Sequence, residues 1–105
     1  MMVTNGVFNN IKKLATNVLP VGSSIFLYGS RARGDFHDYS DWDLLILLDK
    51  ENIENSDYDL LYEFNKLGAT MDEIFVPIVY TKKQWEQRRG TDFFNNVEND
   101  KIEII

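Results

Sequence analysis

Asp41-Trp42-Asp43 leads directly into the apolar run Leu44-Leu45-Ile46-Leu47-Leu48, and ten residues separate Asp41 from Ser30. A run of this composition, closed by Asp49-Lys50, predicts a strand over Asp41 to Leu48. Side chains at i and i+2 of a strand face the same side, so Asp41 and Asp43 project together and Trp42 takes the other face. Ser24 to Tyr28 is a shorter run of strand formers that enters Gly29-Ser30-Arg31-Ala32-Arg33-Gly34. The chain is thereby committed to a strand–turn–strand frame, with small residues at the turn and paired acids on the second strand.

The chemistry available to that frame follows from the residue types. Two adjacent carboxylates can share Mg²⁺ ions, which take oxygen ligands and leave positions for water or substrate phosphates. In a two-metal site such ions activate an attacking oxygen and steady a departing one. Gly29 permits a tight turn and close backbone approach, while Ser30 offers a hydroxyl and an N–H at a predicted helix start. That arrangement suits a triphosphate. Arg31 and Arg33 add positive charge, either toward phosphate or in ion pairs with Asp35 and Asp38.

Composition narrows the rest. The 105 residues, 44% hydrophobic, suit one domain over 1–105 with one core. There is no cysteine, which excludes disulfides and thiolate chemistry, and the single histidine, His37, argues against zinc. A formal charge of −6 argues against a nucleic-acid partner, since such binding relies on many basic contacts to phosphate. The N-terminus lacks a secretory pattern and no apolar run approaches the roughly 18 residues of a membrane span, so the expectation is a cytoplasmic protein with no membrane partner.

Along the chain, Val7, Phe8, Ile11, Leu14, Ala15 and Val18 recur at helical spacing, with Thr4 or Asn5 as cap and Pro20 beyond the end. Ser56 is the expected cap of a helix burying Tyr58, Leu61, Tyr62, Phe64 and Leu67, and Gly68 suits its end. A third strand is expected from about Asp72 to Tyr80, with Pro77 marking an edge position or a bulge. Thr81 caps a short helix through Trp85, Phe93, Phe94 and Val97 mark another, and Ile102 to Ile105 form a last strand or a cover for the core. The pattern is α+β, or mixed α/β. The connection between the first two strands leaves parallel and antiparallel pairing both open.

Asp-x-Asp by itself is common on solvated strand edges, and Gly-Ser is commoner still. The order of the two, on one frame and ahead of an apolar strand, is what gives them meaning. His37, in a polar loop with no partner in view, reads as a surface residue. Trp85, Phe93 and Phe94 read as core, with an exposed interface as the alternative.

Gly29-Ser30, ten residues, then Asp41-x-Asp43 resembles the signature of the DNA polymerase beta-like nucleotidyltransferase superfamily. Gly29-Ser30-Arg31-Ala32-Arg33-Gly34 with Ser40-Asp41-Trp42-Asp43-Leu44 is similar to its minimal nucleotidyltransferase branch, and Tyr80-Thr81-Lys82-Lys83-Gln84-Trp85 resembles small bacterial members. The resemblance implies a nucleotidyltransferase fold, a small mixed sheet with helices packed on it. It also implies Mg²⁺-dependent transfer of a nucleoside monophosphate from an NTP, ATP first among them, with Asp41 and Asp43 as catalytic metal ligands and Gly29, Ser30, Arg31 and Arg33 toward the nucleotide. The family adds a third carboxylate on a neighbouring strand. Ile74 to Val79 contain no acid, so Glu73 ranks first for that role, with Asp72 the alternative.

A chain with a catalytic core and little else needs help to recognise its acceptor. The resemblance implies a small helical HEPN-type partner in a toxin–antitoxin pair, with a partner tyrosine as acceptor, or a homodimer. The alternative is a weakly active or inactive module of the same fold that neutralises its partner by binding. Transfer to a small molecule such as an aminoglycoside ranks third, because no acceptor-binding domain is present.

Overall fold

In the computed structural model, residues 5–105 are described. They form a four-stranded mixed sheet with helices on both faces. Helix α1 (Asn5–Val18) leads into strand β1 (Ser24–Tyr28). A single helical turn, α2 (Ser30–Arg33), precedes strand β2 (Trp42–Leu48). A 3-10 turn (Asn55–Tyr58) runs into helix α3 (Asp59–Thr70), and strand β3 (Phe75–Thr81) follows. Helices α4 (Lys82–Glu86) and α5 (Asp92–Asp100) and the two-residue strand β4 (Ile102–Glu103) complete the chain.

The strand order is β3-β2-β1-β4. β1 runs antiparallel to β2 and to β4, whereas β2 and β3 are parallel, joined across the sheet by α3. The pairing left open by sequence is thus antiparallel for the first two strands. β2 is central, and its alternation splits the apolar residues between two layers. Trp42, Leu44, Ile46 and Leu48 pack with Ile25, Leu27 and Phe75 under α1 and α3, where Val7, Ile11, Ala15 and Phe64 close the layer. Leu45 and Leu47 face the other way, onto Trp85 of α4 and Phe94 and Val97 of α5. Complete burial of a side chain such as Leu44 or Ile46 contributes about 1.5–3 kcal/mol. Asp43 is the one residue in β2 that breaks this run of burial.

Several predicted boundaries move. Of the two expected caps of α1, Thr4 lies outside the described residues and Asn5 is already helical. Ser56 sits inside the 3-10 turn, where the Asp57 carboxylate instead accepts the Glu54 N–H at 2.8 Å. Gly68 lies within α3 rather than ending it: an added Cβ would stand 2.9 Å from the Phe75 ring and 3.0 Å from the Glu73 carbonyl. It serves close packing of helix on strand. The third strand begins at Phe75, because Asp72 adopts φ 58° and the Glu73 N–H donates to the Gly68 carbonyl, which keeps both residues in the turn. Pro77 lies on the edge strand in unbroken register, opposite Leu44, so no bulge is present there. Thr81 caps α4 as expected, accepting from the Gln84 N–H at 3.0 Å while Gln84 Oε1 accepts from the Thr81 N–H. Phe94 and Val97 are buried core and Phe93 is half exposed.

Candidate active site at the end of the central strand

The site forms where β1 ends and β2 begins. Gly29 leaves β1 with φ 78° and ψ −158°, a conformation open in practice to glycine alone. Its Cα faces Asp43 so closely that an added Cβ would overlap the Asp43 carboxylate. Ala32 and Arg33 N–H groups then donate to the Gly29 carbonyl at 3.0 Å, which turns the chain into α2 and leaves Ser30 at its first position.

Asp43 is half-buried and Asp41, just before β2, is exposed. Burial raises the Asp43 carboxyl above its ordinary range, the negative charge of Asp41 adds to the effect, and Arg33 works against it. Tyr28 is the register partner of Asp43 on β1. Its phenol is pushed up to about 12, by burial first, then by the charge of Asp43 and by Tyr80, so it stays protonated at neutral pH. Phe93 packs edge-on against the Tyr28 ring at 6.0 Å. Tyr28 was not singled out from sequence, although its place directly before Gly29, in phase with Phe26, is the signal that puts it on this face.

The other predicted site residues are placed differently. Arg31 is buried, and its guanidinium donates to the backbone carbonyls of Ser40 and Asp38 rather than opening toward the acids. Arg33 is exposed and bonds Asp100 at 2.7 Å and Asp35 at 3.1 Å. Glu73 does not join Asp41 and Asp43. Its Oε1 accepts the Trp42 indole N–H at 2.9 Å, and Trp42 points to the sheet face opposite Asp43. Asp72 and Glu73 line a hollow of about 380 Å³ together with Asp38, Tyr39, Ser40, Ala69 and Ile74, which includes neither Asp41 nor Asp43. On β3 the register partner of Asp43 is Val76, 38% exposed. Among the described residues, no group of three or more His, Cys, Asp or Glu side chains is arranged around a common metal position. Asp41 directly precedes β2 and Asp43 is its second residue. His37 is exposed in the loop between α2 and β2. Among the described residues, no helix is long and apolar enough to cross a membrane.

Known proteins carry the same frame. A family model described as a nucleotidyltransferase domain matches residues 10–104. A protein of Methanocaldococcus jannaschii, MJ0141, provisionally named a protein adenylyltransferase, is 30% identical over 80 residues, covering 76% of each chain. Two solved structures superpose with a TM-score of 0.65 over 93% of this chain and 72% of theirs: a toxin–antitoxin with AMP-PNP, at 22% identity, and a mutant of the toxin–antitoxin MntA-HpeT, at 20%. Their likeness establishes the fold, and the family match establishes kinship: the chain belongs to the nucleotidyltransferase domain family.

Proposed function

We propose that this chain, as a single minimal domain, transfers AMP from ATP to a hydroxyl of a protein acceptor, with Asp41 and Asp43 holding Mg²⁺ and Gly29-Ser30 receiving the triphosphate. The observation that carries the reading is the contact between the Gly29 backbone and the Asp43 carboxylate. It makes the phosphate-type turn and the acid pair one site rather than two neighbouring features. The donor set fits a hard divalent cation: two carboxylates two residues apart, with the charge of Asp41 among the causes that raise Asp43, beside an Arg33 already bonded to Asp35 and Asp100. Bound there, Mg²⁺ supplies charge neutralisation of the phosphates and polarisation of the attacked α-phosphorus.

The chain's own residues bind and orient. Gly29 keeps the turn open at its Cα, so a phosphate can lie beside Asp43 without a side chain between them. Ser30 offers its hydroxyl and N–H to phosphate oxygens. Protonated Tyr28 borders Asp43, and Arg33 lends a positive field to the same carboxylate. The acceptor oxygen forms a bond to the α-phosphorus, the bond to the α–β bridging oxygen breaks, and pyrophosphate leaves. The hydroxyl proton leaves as that bond forms, and β3 offers no base for it beside Asp43, where its register partner is Val76.

ATP as donor and a protein as acceptor are supported by the naming of the Methanocaldococcus relative and by the AMP-PNP in one toxin–antitoxin structure. The mutant of the other carries two Asp-to-Glu changes two residues apart, the spacing of Asp41 and Asp43. The likeness to toxin–antitoxin structures supports a partner protein, and the motif resemblance extends the reading to a small helical chain of the HEPN type.

The placement of Glu73 and Val76 favours a second reading, a module of this fold that neutralises its partner by contact alone. Incubation with ATP labelled at the α-phosphate, Mg²⁺ and the product of the neighbouring gene separates the two. Label on the partner, lost when Asp41→Asn and Asp43→Asn are combined, supports transfer. Neutralisation that persists in the double variant, without label transfer by wild type, supports the module.

A further inference from the structure

Arg31 and Glu73 stand apart from the carboxylate pair, yet together they hold both chain neighbours of Asp41. The Arg31 guanidinium is 7% exposed and lies between two aromatic rings, 4.3 Å from the centre of Phe36 and 4.5 Å from that of Trp42. Its Nε and one terminal nitrogen donate to the Ser40 carbonyl at 3.2 and 3.1 Å, and the same terminal nitrogen reaches the Asp38 carbonyl at 3.4 Å. Glu73 Oε1 stands 3.7 Å from that nitrogen while it accepts the Trp42 indole N–H. Ser40 precedes Asp41 and Trp42 follows it. The Trp42 backbone N–H is fixed as well, donating to the Ile74 carbonyl at 2.9 Å.

We propose that Glu73 is a positioning residue: through Arg31 and Trp42 it fixes the backbone on both sides of Asp41, and so sets where that carboxylate meets a divalent cation. The inference rests on the reading of Asp41 and Asp43 as the metal-holding pair. Its physical basis is the cost of a buried guanidinium. Two aromatic faces and two carbonyls solvate Arg31, and Glu73 Oε1 stands beside it as a further oxygen that also accepts the indole N–H. Removing that oxygen frees the indole and loosens Arg31, so the Ser40 to Trp42 segment loses its lateral anchor. Asp41 is exposed and has no burial of its own to hold it. Groups that orient metal ligands from behind typically change metal affinity by about 10–100-fold when removed.

The test compares Glu73→Gln, Glu73→Ala and Arg31→Lys with wild type in two measurements without nucleotide: Mn²⁺ binding by titration, and amide hydrogen exchange at residues 38–42. Glu73→Gln keeps an oxygen for the indole and for Arg31, and is expected to bind Mn²⁺ within about threefold of wild type, a loss of under 1 kcal/mol. Glu73→Ala is expected to bind it about 10–100-fold more weakly and to exchange the Trp42 amide faster. Arg31→Lys keeps the charge but loses the planar fork, and is expected to shift both readouts the same way, which preserves the test where Glu73→Ala does not fold. A Glu73→Gln variant as damaged as Glu73→Ala overturns the proposal, since the carboxylate itself is then needed. Wild-type binding with no difference among the variants also overturns it. Wild-type protein that binds no Mn²⁺ sinks the metal-site reading and this inference with it, so the two failures are distinguishable.

Discussion

Gly29 and Asp43 touch across the end of the β1–β2 pair, the glycine Cα lying where any side chain would strike the acid. Gly29→Ala therefore meets two penalties, a positive φ and an overlap with a half-buried carboxylate. It is expected to lose about 1–3 kcal/mol of stability and nearly all nucleotide binding. Gly34 also has positive φ, but an added Cβ there meets nothing within 4 Å, so Gly34→Ala is expected to cost about 1 kcal/mol and to spare binding. Urea denaturation paired with Mg·ATP titration checks the contrast.

Asp43 links stability to pH with a defined sign. Its folded carboxyl is raised, mainly by burial and further by Asp41, whereas the unfolded chain has an ordinary one. The charged form is therefore penalised by folding at neutral pH, and the penalty fades as pH falls through the raised folded value. Asp43→Asn is expected to raise the melting temperature of metal-free protein at pH 7, to have a smaller effect in acid, and to abolish the rise that Mg·ATP gives wild type. Thermal unfolding at several pH values, with and without Mg·ATP, reads all three.

Gly68 shows how tertiary packing overrides local signals. As a helix breaker near the end of an apolar periodicity it reads as a terminus, but α3 continues past it and Phe75 presses against its Cα. Gly68→Ala improves helix propensity and still is expected to destabilise by about 1–3 kcal/mol through overpacking. Chemical denaturation showing a gain in stability would contradict the packing role.

Asp57 anchors the turn before α3, accepting from the Glu54 N–H at 2.8 Å and from Lys50 at 3.0 Å. Burial opposes its ionisation, but the Glu54 amide and Lys50 outweigh that and hold its carboxyl below the ordinary range. A depressed folded value stabilises above the unfolded carboxylate range and is lost as pH falls through the folded one. Asp57→Ala is expected to cost about 1 kcal/mol at pH 7, with the difference from wild type shrinking toward pH 3. Paired urea melts at the two pH values measure it.

Local chemistry made part of this molecule legible. Thr81 with Gln84 at N3, Pro77 on an edge strand, and the helical spacing of Val7 to Val18 each carry their meaning within a few residues. The strand–turn–strand frame is legible in the apolar runs Ser24 to Tyr28 and Asp41 to Leu48, and the mixed α/β class in the order of all these elements. What sequence did not carry depends on partners distant in the chain. Glu73 leads into an apolar run and so resembles a strand acid, but the left-handed Asp72 and the Gly68 carbonyl hold it in the turn, and the Trp42 indole, 31 positions away, draws it to the opposite face. Arg31, read toward phosphate or toward an ion pair with Asp35 or Asp38, donates to backbone carbonyls of the loop that follows it. Tyr28 gains its place beside Asp43 only through antiparallel register, which the length of the connection could not decide.

The central claim is that the Gly29-Ser30 turn and the Asp41–Asp43 pair act together in nucleotidyl transfer. The most direct measurement follows ATP labelled at either the α- or the γ-phosphate, with Mg²⁺ and the partner protein, while pyrophosphate release is recorded. The account predicts α-label on the partner, no γ-label, one pyrophosphate per AMP transferred, and none of these when Asp41 and Asp43 are both replaced by Asn. Transfer of γ-label, or α-label that survives the double substitution, would contradict it.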